Sequence, residues 1–125
     1  MNTVLLVEDE AWLGELYCNV LGKGGFNVVW RRDGYDAIEV IDQKKPDVIL
    51  LDLMLPWANG IQLLHELASN YDLADIPAII FSNTLPQDVT LENLRYYGVA
   101  KILDKATIKP KDVIKAIAET IDENS

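Results

Sequence analysis

Three apolar runs, Val4–Val7, Val48–Leu51 and Ala78–Phe81, are unbroken instead of alternating with polar residues. A run of strand length with no polar alternation belongs to a strand buried on both faces, the habit of parallel sheets covered by helices. The second and third of these runs extend to Asp52 and Ser82, and two more polar segments, Asn27–Arg31 and Lys101–Asp104, read as strands nearer the edges. Between the runs apolar residues recur at helical spacing, as in Leu13, Leu16, Val20 and Leu21, or Ala37, Ile38 and Ile41. The same spacing marks Leu63, Leu64 and Leu67, then Leu91, Leu94 and Tyr97, and last Val113, Ile114, Ile117 and Ile121. Turn residues agree with these limits: Gly24-Gly25 ends the first helix, Asp33-Gly34 starts the second and Pro46 stops it. Asn59-Gly60 opens the third, Gly98 ends the fourth, and Pro110 suits the first turn of the fifth. The pattern is (βα)5, an α/β doubly wound parallel five-stranded sheet, with the flavodoxin-like order 2-1-3-4-5 as the expected topology.

The chain has 125 residues, enough for one domain with a sizeable core and too few for two. Residues 1–125 are therefore expected to form a single domain with no effector domain. Eleven basic against 20 acidic residues give a net charge of −9, which repels nucleic-acid phosphates and anionic membranes, so neither is an expected partner. The apolar runs are far shorter than the roughly 20 residues a bilayer span requires. A lone cysteine, Cys18, cannot make an internal disulfide and suits a buried small hydrophobe in a reducing compartment, which points to the cytoplasm.

In an open α/β sheet, ligands bind outside the carboxyl ends of the strands. The first strand ends in Glu8-Asp9-Glu10, the third in Asp52, the fourth in Ser82 and the fifth in Asp104-Lys105. Strands one, three, four and five are neighbours in the proposed order, so carboxylates, a hydroxyl and an ammonium meet at one edge. Crowded carboxylates repel unless a cation joins them, and Mg²⁺ is a hard ion that takes oxygen ligands from one or two carboxylates while keeping several waters. Glu8, Asp9 and Asp52 are the candidate metal ligands, with Glu8 acting directly or through water and the carbonyl of Met54 adding an oxygen. Beside such an ion a carboxylate can attack phosphorus, with Lys105 pairing with the transferred group and Ser82 donating a hydrogen bond to it.

These residues carry a resemblance. Val4-Leu5-Leu6-Val7-Glu8-Asp9, Asp33-Gly34, Asp52-Leu53-Met54-Leu55-Pro56 with Gly60, Ser82 and Lys105 resemble, in order and spacing, the receiver domain of two-component response regulators. The resemblance implies that Asp52 accepts phosphate from a histidine kinase or phosphotransfer protein, that Glu8 and Asp9 hold Mg²⁺, and that Ser82 and Lys105 contact the phosphate. It also implies a downstream protein target that docks on the fourth helix, fifth strand and fifth helix. Such a domain is a switch more than an enzyme, although it would catalyse its own phosphoryl transfer and hydrolysis. Glu8 stands where Asp is more usual and Ser82 where Thr is commoner, and both keep the chemistry. Ile102 stands where the family usually has Tyr or Phe, and Ala106 replaces the usual Pro after the lysine. With that Pro gone, the Lys105–Ala106 bond is expected to be trans.

Other readings stay in view. A phosphorylation-independent pseudo-receiver, acting as a protein-interaction module, is favoured by Ile102 and Ala106 and opposed by the complete acidic site. A flavin carrier of the same fold would need a phosphate-binding loop after the first strand, where Glu8-Asp9-Glu10 would repel the cofactor. Glu10 reads as a helix-start acid, His65 as an ordinary partly exposed side chain, Trp30 as a strand end packed on a helix, and Tyr96-Tyr97 as the anchor of the fourth helix. Trp12 and Trp57 flank the acidic rim and are candidates for packing or partner contact.

Overall fold

The computed structural model describes residues 1–54, 60–69, 73, 75–83 and 91–124. The chain runs β1 (Thr3–Val7), α1 (Ala11–Lys23), β2 (Asn27–Arg31), α2 (Gly34–Lys44), β3 (Val48–Leu51), α3 (Gly60–Ser69), β4 (Ala78–Ser82), α4 (Leu91–Arg95), β5 (Val99–Asp104) and α5 (Pro110–Asn124). All strand pairs are parallel, in the order β2-β1-β3-β4-β5. The expected doubly wound topology is therefore present, with the two more polar strands at the edges.

The unbroken apolar runs follow from the two layers of helix. Successive strand residues point to opposite faces. Val4, Leu6, Val48, Leu50, Ile79 and Phe81 pack against Leu13, Tyr17 and Leu21 of α1 and Val113 and Ile117 of α5. Leu5, Val7, Ile49, Leu51 and Ile80 pack against Ala37 and Ile41 of α2, Leu63 and Leu67 of α3, and Leu94 of α4. A polar residue at any of these strand positions would lose its water on whichever side it faced.

Local signals set the ends of the elements. The Asp33 carboxylate accepts the Asp36 N–H at 2.9 Å and caps α2, while Lys45, at φ 45°, breaks that helix just before Pro46. Gly98, at φ 83°, turns the chain straight into β5. That strand begins at Val99, two residues before the sequence reading placed it, because Ala78 pairs with Val99 and Ile79 with Lys101, leaving Ala100 as an extra residue in a bulge. β3 closes at Leu51, so Asp52 stands one position past it.

Of the two residues expected to anchor α4, Tyr97 packs in the layer that holds Leu94 of that helix and Tyr96 does not. They follow it in a turn, where Tyr97 is half-buried against the α2–α4 layer and Tyr96 is 82% exposed. His65 is exposed, with its ring centroid 4.5 Å from that of Tyr97 in an edge-to-face arrangement. Trp12 is exposed in the first turn of α1, and Cys18 is half-buried against the α1–α5 layer. Leu55, Pro56, Trp57 and Asn59, which entered the sequence reading, lie outside the described residues. No helix among the described residues is long and apolar enough to cross a membrane.

Candidate functional site

Strand register brings the acids together. Val7 pairs with Leu51, so Glu8 and Asp52 leave the sheet side by side, and the Asp52 N–H still reaches Val7 O at 3.1 Å. On the other flank Ser82 pairs with Asp104, and the Lys105 N–H donates to Ser82 O at 3.2 Å. The lysine is thus delivered to the same edge by backbone pairing alone.

Asp52 is the hub. Its Oδ1 accepts the Met54 N–H at 2.9 Å and the Ser82 hydroxyl at 3.1 Å, and its Oδ2 accepts from Lys105 Nζ at 2.8 Å. Lys105 Nζ also lies 2.5 Å from Glu8 Oε1. Among the described residues that oxygen has no other polar partner, so its charge is met by the ammonium alone. Glu8 Oε2 accepts the Glu10 N–H at 3.1 Å.

The ion cluster is almost dry, the side chains of Glu8, Lys105 and Asp52 being 1%, 6% and 7% exposed. Burial raises the pKa of Glu8 above the ordinary carboxylate value, and the nearby Asp52 adds to this, while the Lys105 and Glu10 contacts pull it down without cancelling the burial. Burial also works to lower the pKa of Lys105, but its bonds to Asp52 and Glu8, together with their charges, hold it above the usual lysine value. Lys105 therefore stays an ammonium.

Carboxylate oxygens of Glu8, Asp9 and Asp52 lie within 4.8 Å of one another. Counted as ions, three carboxylates against one ammonium leave a formal charge of −2. A cleft of ≈ 270 Å³ opens over them, lined by Asp9, Glu10, Asp52, Met54, Ser82, Asn83 and Lys105. Glu8 is not in that lining but lies beneath it. Met54 contributes its N–H to Asp52 and an exposed side chain to the rim, whereas Asp104 is turned away, accepting the Ala106 N–H at 2.9 Å.

Two residues at the site escaped the sequence reading. Trp30 Nε1 donates to Glu8 O at 2.8 Å, and Arg32 donates to Asp9 O from Nε at 3.1 Å and from Nη2 at 2.6 Å. The available signal was the pairing of the first two strands: with Val7 opposite Arg31, residues 30–32 must lie beside the acidic pair.

A sequence description of the response regulator receiver domain matches residues 4–118. The chain belongs to this family. The receiver domain is 39% identical, over 79 residues, to the phosphate regulon transcriptional regulatory protein PhoB of Escherichia coli, a match covering 63% of this chain and 34% of that protein. The chain thus spans about a third of that relative's length. Among solved structures, the BeF3-activated N-terminal receiver domain of Klebsiella pneumoniae RstA superposes with a TM-score of 0.82 at 29% identity, covering 96% of this chain and 98% of the other. The receiver domain of the sensor histidine kinase PA1611 of Pseudomonas aeruginosa, which has a magnesium ion coordinated in its active-site cleft, superposes at 0.85 with 24% identity, covering 97% and 98%.

Within this receiver domain Ile102 is half-buried and packs against the α2–α4 layer. No peptide bond among the described residues is cis, so Lys105–Ala106 is trans as expected from the missing proline.

Proposed function

We propose that this receiver domain takes a phosphoryl group on Asp52 from a histidine kinase or phosphotransfer protein, in a Mg²⁺-dependent transfer, and thereby switches a protein-binding surface. The observation that carries the reading is Asp52 itself: a nearly buried carboxylate at a strand end that still lines an open cleft and is held by Lys105, Ser82 and the Met54 N–H. Those three donors aim the carboxylate and hold it where a phosphorus atom can enter. The attacking Asp52 oxygen would form the new O–P bond as the donor's P–N bond breaks, its electron pair leaving on the imidazole nitrogen. Lys105 and Ser82 would then bear on the charge that the phosphoryl oxygens bring into the cleft.

The residues fit a hard divalent cation. Three carboxylates converge, the residual formal charge is −2, and the buried Glu8 Oε1 has no partner other than the Lys105 ammonium among the described residues. Glu8, Asp9 and Asp52 would hold Mg²⁺, with the Met54 carbonyl adding an oxygen. When bound, the ion supplies charge neutralisation for carboxylate and phosphate oxygens brought together. The switched surface is proposed to lie on α4, β5 and α5, reached through Ser82 and Asn83 at the end of β4.

A second reading, the phosphorylation-independent interaction module, draws on Ile102, which packs inward with no ring to exchange between two positions. One experiment separates the two: incubation with acetyl phosphate and Mg²⁺, followed by intact-mass analysis. The proposed function expects one labile phosphoryl group on the wild type and none on Asp52→Asn. An unmodified wild type selects the module.

A further inference from the structure

We propose that Trp30 and Arg32 are positioning residues, which from the end of β2 fix the backbone of the acidic pair and so set how tightly the site holds a divalent cation. The inference rests on the Mg²⁺ reading above. β1 closes at Val7, so Glu8 and Asp9 lie beyond the last residue assigned to that strand. The Glu8 N–H continues the pairing by one bond to Arg31 O at 3.0 Å. Past that point two side chains take over, one from the edge strand and one from the residue just after it: the Trp30 indole N–H on Glu8 O and the Arg32 guanidinium on Asp9 O. Two consecutive carbonyls are thus tied to a neighbouring strand at the residues whose carboxylates converge.

The strand end is itself braced. Arg31 Nη1 donates to Trp30 O at 2.8 Å, and the Trp30 ring lies over Gly14 of α1, where any Cβ would overlap Cε2 and Cζ2 of the indole. Glycine at that helical position leaves the space in which the indole can reach Glu8 O. Groups that orient a ligand without touching the metal alter affinity through geometry, because a carboxylate displaced from the convergence point must give up part of its bond or reorganise on binding. Trp30 and Arg32 act one step further out, on the backbone that carries the ligand side chains.

Arg32 makes the idea testable by sign. Its guanidinium is a cation near a cation site, so removing the charge alone would tighten Mg²⁺ binding. Loss of a positioning bond would weaken it. The experiment is Mg²⁺ titration calorimetry on the full chain for wild type, Trp30→Phe, Arg32→Gln and Arg32→Lys, with melting in chelator run alongside. Removing the single Trp30 bond, or the two that Arg32 makes to one carbonyl, predicts a rise of about three- to tenfold in Kd for Trp30→Phe and for Arg32→Gln, with Arg32→Lys between Arg32→Gln and wild type. Arg32 is exposed, so the melting temperature of Arg32→Gln in chelator should stay close to wild type, and this variant decides the matter if Trp30→Phe folds poorly. Wild-type affinity in both Trp30→Phe and Arg32→Gln, or tighter binding by Arg32→Gln, overturns the positioning role and leaves the metal reading standing. A wild type that binds no Mg²⁺ removes both.

Discussion

Lys105 and Lys101 stand four residues apart and each holds a carboxylate at 2.8 Å, Lys105 that of Asp52 and Lys101 that of Glu119. By geometry the two ion pairs are the same. Their surroundings differ: the Lys105 and Asp52 side chains are 6% and 7% exposed, those of Lys101 and Glu119 23% and 46%. Water screens the second pair and leaves its partners nearly as stable apart as together. In the first pair, the charges have lost nearly all their water and depend on each other and on their few neighbours, Glu8, Ser82 and the Met54 N–H, to replace it. Equal distances therefore carry unequal energies, and the protein places its dry charges where chemistry is proposed and its wet ones on the flank of β5 and α5.

The largest effect should come from breaking the dry cluster. Lys105→Met keeps the side-chain length but leaves the Glu8 and Asp52 carboxylates facing each other without their ammonium. Removing one member of a buried pair costs about 3–5 kcal/mol, and urea denaturation in chelator should find a loss in that range at neutral pH. The pH dependence has a definite sign. A carboxylate whose folded pKa lies above its unfolded value loses stability as pH rises through the folded value. Burial already raises Glu8, and removing Lys105 takes away the contact that pulled it down. The deficit of Lys105→Met should therefore shrink toward acid pH and also shrink when Mg²⁺ is added. A loss below about 1 kcal/mol, the value of an exposed pair, would erase the contrast between the two lysines.

The next effect tests the packing behind the acidic loop. Alanine is favoured over glycine in a helix by about 1 kcal/mol, so Gly14→Ala on an open face would stabilise. Here the new Cβ overlaps the rigid six-membered part of the Trp30 indole, and overpacking of this kind costs about 1–3 kcal/mol. The clash should win, giving a net loss of about 1 kcal/mol. Paired with Trp30→Ala, which empties the space, Gly14→Ala should turn stabilising. Thermal melts of the two single variants and the double variant decide it, and equal effects in both backgrounds would show that the ring does not limit position 14.

The comparison also shows what could be read from residues alone. Val4–Val7, Val48–Leu51 and Ala78–Phe81 revealed the sheet because burial on both faces removes every polar position, a constraint that needs no partner to be seen. Asp52 and Ser82 stood out because each breaks such a run where the strand must end. Lys105 was legible as a site residue through the order of the strands, but not its grip on Glu8. That contact depends on how far two side chains extend under the cleft, which strand order does not specify. Trp30 looked like packing because an indole N–H bound to a backbone carbonyl leaves no pattern in the chain. The early start of β5 was hidden for a similar reason, since the bulge at Ala100 is a choice of hydrogen-bond partners and not of residue types.

Between Lys101 on β5 and Lys105 just past its end lies Ile102, half-buried against the α2–α4 layer. Truncating a fully buried isoleucine to alanine costs about 2–5 kcal/mol, so a half-buried one at an edge should cost about 1–2. Ile102→Ala should accordingly lower stability by about 1 kcal/mol in urea denaturation, in chelator and in Mg²⁺ alike, because it touches neither carboxylate. A Mg²⁺-dependent deficit would instead tie β5 packing to the acidic site.

The smallest effect is expected at Glu119, and its sign is still determined. The hydrogen bond from Lys101 and the charges of Lys101 and Lys115 lower the Glu119 pKa in the folded protein. A carboxyl group lowered in this way stabilises the fold above its unfolded pKa, and the stabilisation fades as pH falls through the folded value. Because the carboxylate is in water, the effect must be slight, and it should weaken further in about 1 M salt, where charges are screened beyond roughly 3 Å. Glu119→Gln should therefore melt marginally below wild type at neutral pH, and the two should converge in strong acid. Differential melting of wild type and variant across pH, in low and high salt, tests each part. A salt-insensitive gap as large as that of Lys105→Met would mean that exposure does not separate the two pairs, and that their common 2.8 Å separation governs both.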